Sequence, residues 1–123
     1  MVGKMYWAIF KYYDNVNRRM AFKKRPVLII GKADQKDYVA LPVSRVTKKE
    51  HLDMQYDFEM QIKDYPLLSL KATSYIRTHK QTVVNNGELG DCIADFREKY
   101  PDAYISVMAL VEGFQKELIN KAF

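Results

Sequence analysis

The sequence predicts an α+β fold: a small antiparallel β-barrel with C-terminal helices. Two observations carry this prediction. Up to about residue 84, short apolar stretches rich in β-branched and aromatic residues alternate with polar turns. After Asn85-Asn86-Gly87 the apolar residues instead recur at spacings of three and four, the helical period. Strands first and helices last is the α+β order, and five or six short strands close most simply on themselves. At 123 residues the chain is a single domain by length, 1–123, with a barrel part of about 3–84 and a helical part of about 87–121.

KMYWAIF, 4–10, is aromatic and β-favouring and reads as the first strand. KYYDNVNRRMAFKK, 11–24, turns polar and basic and reads as a long connection, of a length that is often functional. PVLII, 26–30, is a short, continuous apolar run before Gly31, the pattern of a buried central strand. KADQKD, 32–37, is a turn, and YVALPVS, 38–44, is a strand in which Pro42 marks an end, an edge or a bulge. DFEMQI, 57–62, alternates apolar Phe58, Met60 and Ile62 with polar neighbours, as a half-solvated strand does. LLSLKATSYIR, 67–77, reads as one bent strand or two. Leu89, Ile93, Phe96 and Tyr100 then predict an amphipathic helix. Pro101 opens a second helix with the stripe Tyr104, Val107, Met108, Val111, Phe114 and Leu118.

Composition narrows the function. With 48% hydrophobic and 13% aromatic residues the chain can bury a core, which argues against disorder. Twenty Lys+Arg against fifteen Asp+Glu leave +5, an excess that suits RNA, DNA or an acidic peptide. The lone Cys92 excludes an intrachain disulfide and falls on the first predicted helix, as packing. No stretch approaches the ~20 apolar residues of a spanning helix, and the N-terminus lacks a signal-peptide core. The expectation is a soluble, cytoplasmic protein. Asp34, Asp37, Asp53, Asp57 and Asp64 are scattered through turns, without the spacing of a two-metal site, and no glycine-rich phosphate loop occurs. No metal or cofactor is expected.

The topology gathers cations at one rim. PVLII and YVALPVS form the simplest antiparallel hairpin, so Arg25 and Ser44 share the open end of the sheet. Lys23, Lys24 and Arg45 crowd the same rim, and the 11–24 connection returns Arg18 and Arg19 to it. Guanidinium and hydroxyl together grip phosphate. Charges at strand ends also solubilise them, and that role suits Lys23 and Lys24.

Four stretches, in order, resemble motifs of the MazF/PemK (Kid) toxins. They are GKMYWAIF (3–10), KRPVLII (24–30), LPVS (41–44) and SYIRTHK (74–80). The resemblance spans most of the barrel. It implies an SH3-like barrel with a C-terminal helix, usually a homodimer. It implies a metal-independent endoribonuclease cutting single-stranded RNA at short sequences, neutralised by a cognate antitoxin with an acidic tail. Carried over, Arg25 falls on the catalytic arginine and Ser44 on the residue contacting the scissile phosphate. Arg77 and Thr78 match an Arg-Thr pair. Lys24, Arg45, Ser74, Tyr75, Arg77, Arg18 and Arg19 are expected to bind RNA, with Tyr75 placed to stack a base. Ser74 stands where the family often has Asp or Glu, and the Asp of its I-R-T-x-D stretch is absent after His79.

Cleavage by the RNA's own 2′-hydroxyl needs a proton acceptor, a proton donor and cations for the phosphorane. Arg25 and Ser44 suit the last task. The acceptor stays open among His79, His51, Tyr75 and an arginine pair, with His79 suited by its imidazole. Two other readings use the same barrel. One is a non-catalytic SH3-like nucleic-acid module. The other resembles the CcdB-type toxins, which bind gyrase through a C-terminal helix face.

Overall fold

The computed structural model describes residues 1–123. Seven strands make one curled antiparallel sheet: β1 (Lys4–Asp14), β2 (Arg19–Lys32), β3 (Asp37–Ser44), β4 (Asp57–Met60), β5 (Ser74–Arg77), β6 (Thr82–Asn85) and β7 (Leu89–Asp95). A single turn, α1 (Phe96–Lys99), leads into the long α2 (Pro101–Ala122). The strand order is β4-β5-β3-β2-β1-β7, with β6 pairing β3 off this path. β4 and β7 do not pair, so the sheet is a half-barrel with a C-terminal helix, the expected α+β small barrel. No helix is long and apolar enough to cross a membrane.

β2 shows why PVLII reads as an unbroken apolar run. Val27 and Ile29 face one side, with Ala8, Ala40 and Val84. Leu28 faces the other, with Met5, Leu41, Phe96 and Val107. A strand buried on both faces has no polar side to alternate with. α2 closes the second of these cores with Val107 and Val111, and Phe114 meets the Tyr56 ring edge-on. Leu118, the end of the predicted stripe, is exposed because the helix outruns the sheet.

Three expectations are corrected. Residues 11–24 are not a connection: β1 and β2 stay paired from Met5↔Leu28 out to Asp14↔Arg19. The chain reverses between these strands, where the Asp14 carboxylate accepts from the N–H groups of Val16 and Asn17 and Arg18 takes a φ of 52°. The ribbon is polar because its outer half has no core on either face. Second, 89–95 is strand β7, paired with the first half of β1 through two register shifts. Those bulges break the two-residue alternation and leave apolar residues at helix-like spacing. Cys92 is therefore exposed on a strand, and helix begins only at Phe96, where the Asp95 carboxylate accepts the Glu98 N–H. Third, β4 ends at Met60 and Ile62 is exposed in a turn. Of 67–77 only Ser74–Arg77 is strand, preceded by the turn Pro66–Leu68.

Candidate nucleic-acid interface

The β2–β3 ladder runs from Lys32↔Tyr38 to Val27↔Pro42 and stops. Beyond it β3 pairs with β5 instead, Val43↔Ile76 and Ser44↔Tyr75. β2 continues outward with β1 alone. Two prolines, Pro26 and Pro42, bracket the parting, and neither can donate a ladder hydrogen bond. The sheet therefore splits, and a groove of about 520 Å³ opens there. One lip carries Lys23, Lys24, Arg25 and Pro26, and the other carries Val43, Ser44 and Arg45. Extending the ladder by two residues places Arg25 opposite Ser44, the juxtaposition the hairpin predicted.

The floor comes from the stretch after Pro66–Leu68. Leu68, Ser69, Leu70, Lys71 and Ser74 line it, with Trp7 at the β1 side. Ser69 is left-handed, with φ 54°, which turns the chain back toward β5. Five cations line the groove (Lys23, Lys24, Arg25, Arg45 and Lys71) and no carboxylate does. None of the five is in a salt bridge. Like charges crowded in a concave wall raise the local potential and draw in anions. The Lys24 ammonium lies 5.8 Å from the centre of the Trp7 ring, a cation–π contact that fixes it at the mouth. Lys23 and Arg25 also line a second groove of about 490 Å³, with Phe10, Tyr12, Pro42 and Thr82. Arg25 is thus half-buried on the ridge between two concavities.

Of the residues expected at this site, Lys24, Arg25, Ser44, Arg45 and Ser74 come together. Ser74 is buried and its hydroxyl donates to the Ala72 carbonyl at 3.0 Å, so it shapes the wall. The others lie elsewhere. Arg18 and Arg19 sit at the ribbon's far end, about 20 Å of extended chain from Arg25 rather than back at the rim. The Tyr75 hydroxyl donates to Glu59 at 3.2 Å, and burial followed by that bond pushes it above its usual value. The Arg77 guanidinium bonds the Asp57 carboxylate at 3.0 and 3.3 Å and the His51 carbonyl at 2.9 Å. Thr78 is fully buried and its hydroxyl donates to the Tyr56 carbonyl at 2.6 Å.

His79 lies in this second cluster, outside the groove. Its ring packs near Tyr56 and Phe114, and its Nδ1 is 3.8 Å from Asp57 Oδ1, beyond hydrogen-bond reach. The Tyr56 hydroxyl donates to Glu117, and this bond, with burial, pushes it up to about 12. The Glu117 carboxyl is held below its ordinary value, first by Lys121 and then by Tyr56. Burial pushes Asp53 up, but the backbone N–H donors of Tyr56 and Gln55, with His79 and Arg77 behind them, hold it below its ordinary value.

Sequence reasoning missed Lys71, Trp7 and Asp57. Lys71 arrives from a segment read as strand, and Asp57 meets Arg77 through a strand pair, Asp57↔Arg77, that joins distant stretches. No known family model matches this chain, and no curated protein matches it.

Proposed function

We propose that this chain is an endoribonuclease of the MazF/PemK kind, built on an SH3-like barrel and cutting single-stranded RNA without a metal ion. The observation that carries the proposal is the split in the sheet. It sets Arg25 and Ser44 on facing lips of a groove lined by cations and free of carboxylates. Such a lining attracts a phosphodiester backbone and repels a divalent metal.

In the proposed reaction the 2′-oxygen attacks the neighbouring phosphorus and loses its proton. The P–O5′ bond breaks, and the departing oxygen gains a proton. The products carry a 2′,3′-cyclic phosphate and a 5′-hydroxyl. Arg25 holds the charged phosphorane with its forked donors, and Ser44 fixes one phosphate oxygen from the other lip. Lys24 and Arg45 hold the flanking backbone as point and forked charges. On this reading a cognate antitoxin inhibits by laying an acidic segment along the same cations, and the working form is a cytoplasmic homodimer.

One observation favours a second reading. No imidazole or carboxylate lines the groove, so the usual proton acceptors are missing from it. A module that binds RNA without cutting it has the same lining. The deciding experiment mixes the protein with a long unpaired RNA in EDTA, beside Arg25→Ala. Fragments ending in 2′,3′-cyclic phosphate from the unmutated protein alone support the nuclease. Intact RNA with salt-dependent binding overturns the nuclease and leaves the binding module.

A further inference from the structure

The net charge of this protein lies in one element. Residues 9–25 hold six of its twenty cations (Lys11, Arg18, Arg19, Lys23, Lys24 and Arg25) and one of its fifteen acids. The remainder has fourteen of each and is neutral, so the whole +5 belongs to the outer ribbon and its root at the groove. The single acid, Asp14, is occupied at the ribbon's end by the backbone N–H groups of Val16 and Asn17 and by the Asn17 amide.

Among its polar residues the ribbon also exposes several apolar side chains. Alternation and the β1–β2 register place Ile9, Lys11 and Tyr13 on the face of Trp7, opposite Lys24, Phe22 and Met20. That face continues out of the groove, since Trp7 and Lys24 line its mouth. Phe22 is 66% exposed and Tyr13 54%, and neither ring pairs with another aromatic ring. Exposed aromatic residues at the free end of a two-stranded ribbon do nothing for the core and invite association.

We infer that this face of the ribbon is a binding track for the single-stranded RNA that flanks the groove, with Phe22 and Tyr13 stacking bases and Lys11 and Lys24 following the backbone. The inference rests on the proposal that the groove holds single-stranded RNA. Charge fixes the class of ligand as a polyanion. The rings narrow it further. Tyr13 faces Met20 across the ladder, so Phe22 is its diagonal neighbour, about 7–8 Å away. That is about twice the 3.4 Å rise of stacked bases, so one base fits between the two rings. An acidic peptide satisfies the cations but has no use for two flat rings at that interval. Sequence-tolerant single-strand grooves are built in this way, with a cationic path carrying aromatic platforms.

The test uses the full chain and two 2′-O-methyl RNA oligomers, which cannot be cleaved, of four and twelve nucleotides. Affinities are read by fluorescence anisotropy at several salt concentrations, for the unmutated protein and for the double variant Tyr13→Ser/Phe22→Ser. Both sites are exposed, and circular dichroism confirms that the variant is folded. The longer oligomer is expected to bind the unmutated protein about ten- to hundredfold more tightly than the shorter one, and the variant is expected to lose that advantage. The slope of affinity against salt is expected to stay the same, since no cation is removed. A variant that keeps the full advantage overturns the track. So does an equal loss of affinity for poly-glutamate, which makes the face a peptide site. So does a variant that sediments as a monomer where the unmutated protein is a dimer, which makes the face a self-interface. The two proposals fail separately. A ribbon-dependent advantage without cleavage sinks the nuclease and keeps the track, whereas cleavage without the advantage sinks the track alone. A protein that binds neither oligomer sinks both.

Discussion

Two arginines from the strands on either side of β3 have opposite fates. Arg77 reaches a carboxylate: its guanidinium lies 3.0 Å from Asp57, whose side chain is fully shielded from solvent. Arg25 reaches none and faces a groove with four other unpaired cations. Both stood as candidate RNA contacts by resemblance to a nuclease family. The structure separates them by where their charge goes. A neutralised, shielded charge holds two strands together, while an unpaired one at the edge of a groove is available to a ligand. The difference follows from pairing. β4 brings an aspartate across from Arg77, whereas β3 leaves β2 just before it reaches Arg25.

The sharpest way to break this contrast is to remove the carboxylate. Asp57→Ala leaves the Arg77 guanidinium without its partner and also removes the acceptor of the Asp53 N–H. Stranding one member of a shielded ion pair costs about 3–5 kcal/mol. Urea unfolding is expected to show a loss of that size. A loss below about 1 kcal/mol would mean that Arg77 is well hydrated and as free as Arg25.

The mirror experiment is Arg25→Ala. Removing one preorganised donor to a developing oxyanion lowers the rate about 100- to 1,000-fold. Cleavage in EDTA is expected to fall by that factor, while stability changes by about 1 kcal/mol or less. A large destabilisation with the rate per folded molecule preserved would reverse the roles of the two arginines. Ser44→Ala comes next, with an expected loss of about tenfold in cleavage, the value of one hydrogen bond on the facing lip.

The contrast also marks what the sequence made legible. The PVLII–YVALPVS hairpin put Arg25 and Ser44 together because the two apolar runs are adjacent in sequence and joined by a short turn. The long helix was legible from Val107 and Val111, though not its overhang at Leu118. The ribbon was not, since KYYDNVNRRMAFKK is exposed on both faces and polar composition alone reads as loop. β7 was misread because its bulges space Leu89 and Ile93 like a helix. The Asp57–Arg77 pair was hidden for a different reason. Its strands are separated by turns, and a single sequence does not say which short strand lies beside which.

The smallest expected effect distinguishes the two regions by pH. The second cluster titrates. Glu117 and Asp53 sit below their ordinary values in the fold, so they contribute stability that is fully present above those values. That contribution is lost as pH falls below about 4.5 and through their lowered values. Tyr56 has the opposite sign. Pushed up from 10.0 to about 12, it contributes stability that is fully present below pH 10 and lost as pH rises from 10 to 12. Urea midpoints are therefore expected to fall at both extremes, and Tyr56→Phe is expected to reduce the alkaline fall, which Tyr75 shares, and to reduce the acid one less, since Lys121 still holds Glu117 down. The groove has no carboxylate or imidazole to protonate. Its affinity for an uncleavable RNA is expected to follow the folded fraction alone across the acid range. An affinity that declines in acid before the fold does would show that the second cluster, not only the split in the sheet, takes part in holding RNA.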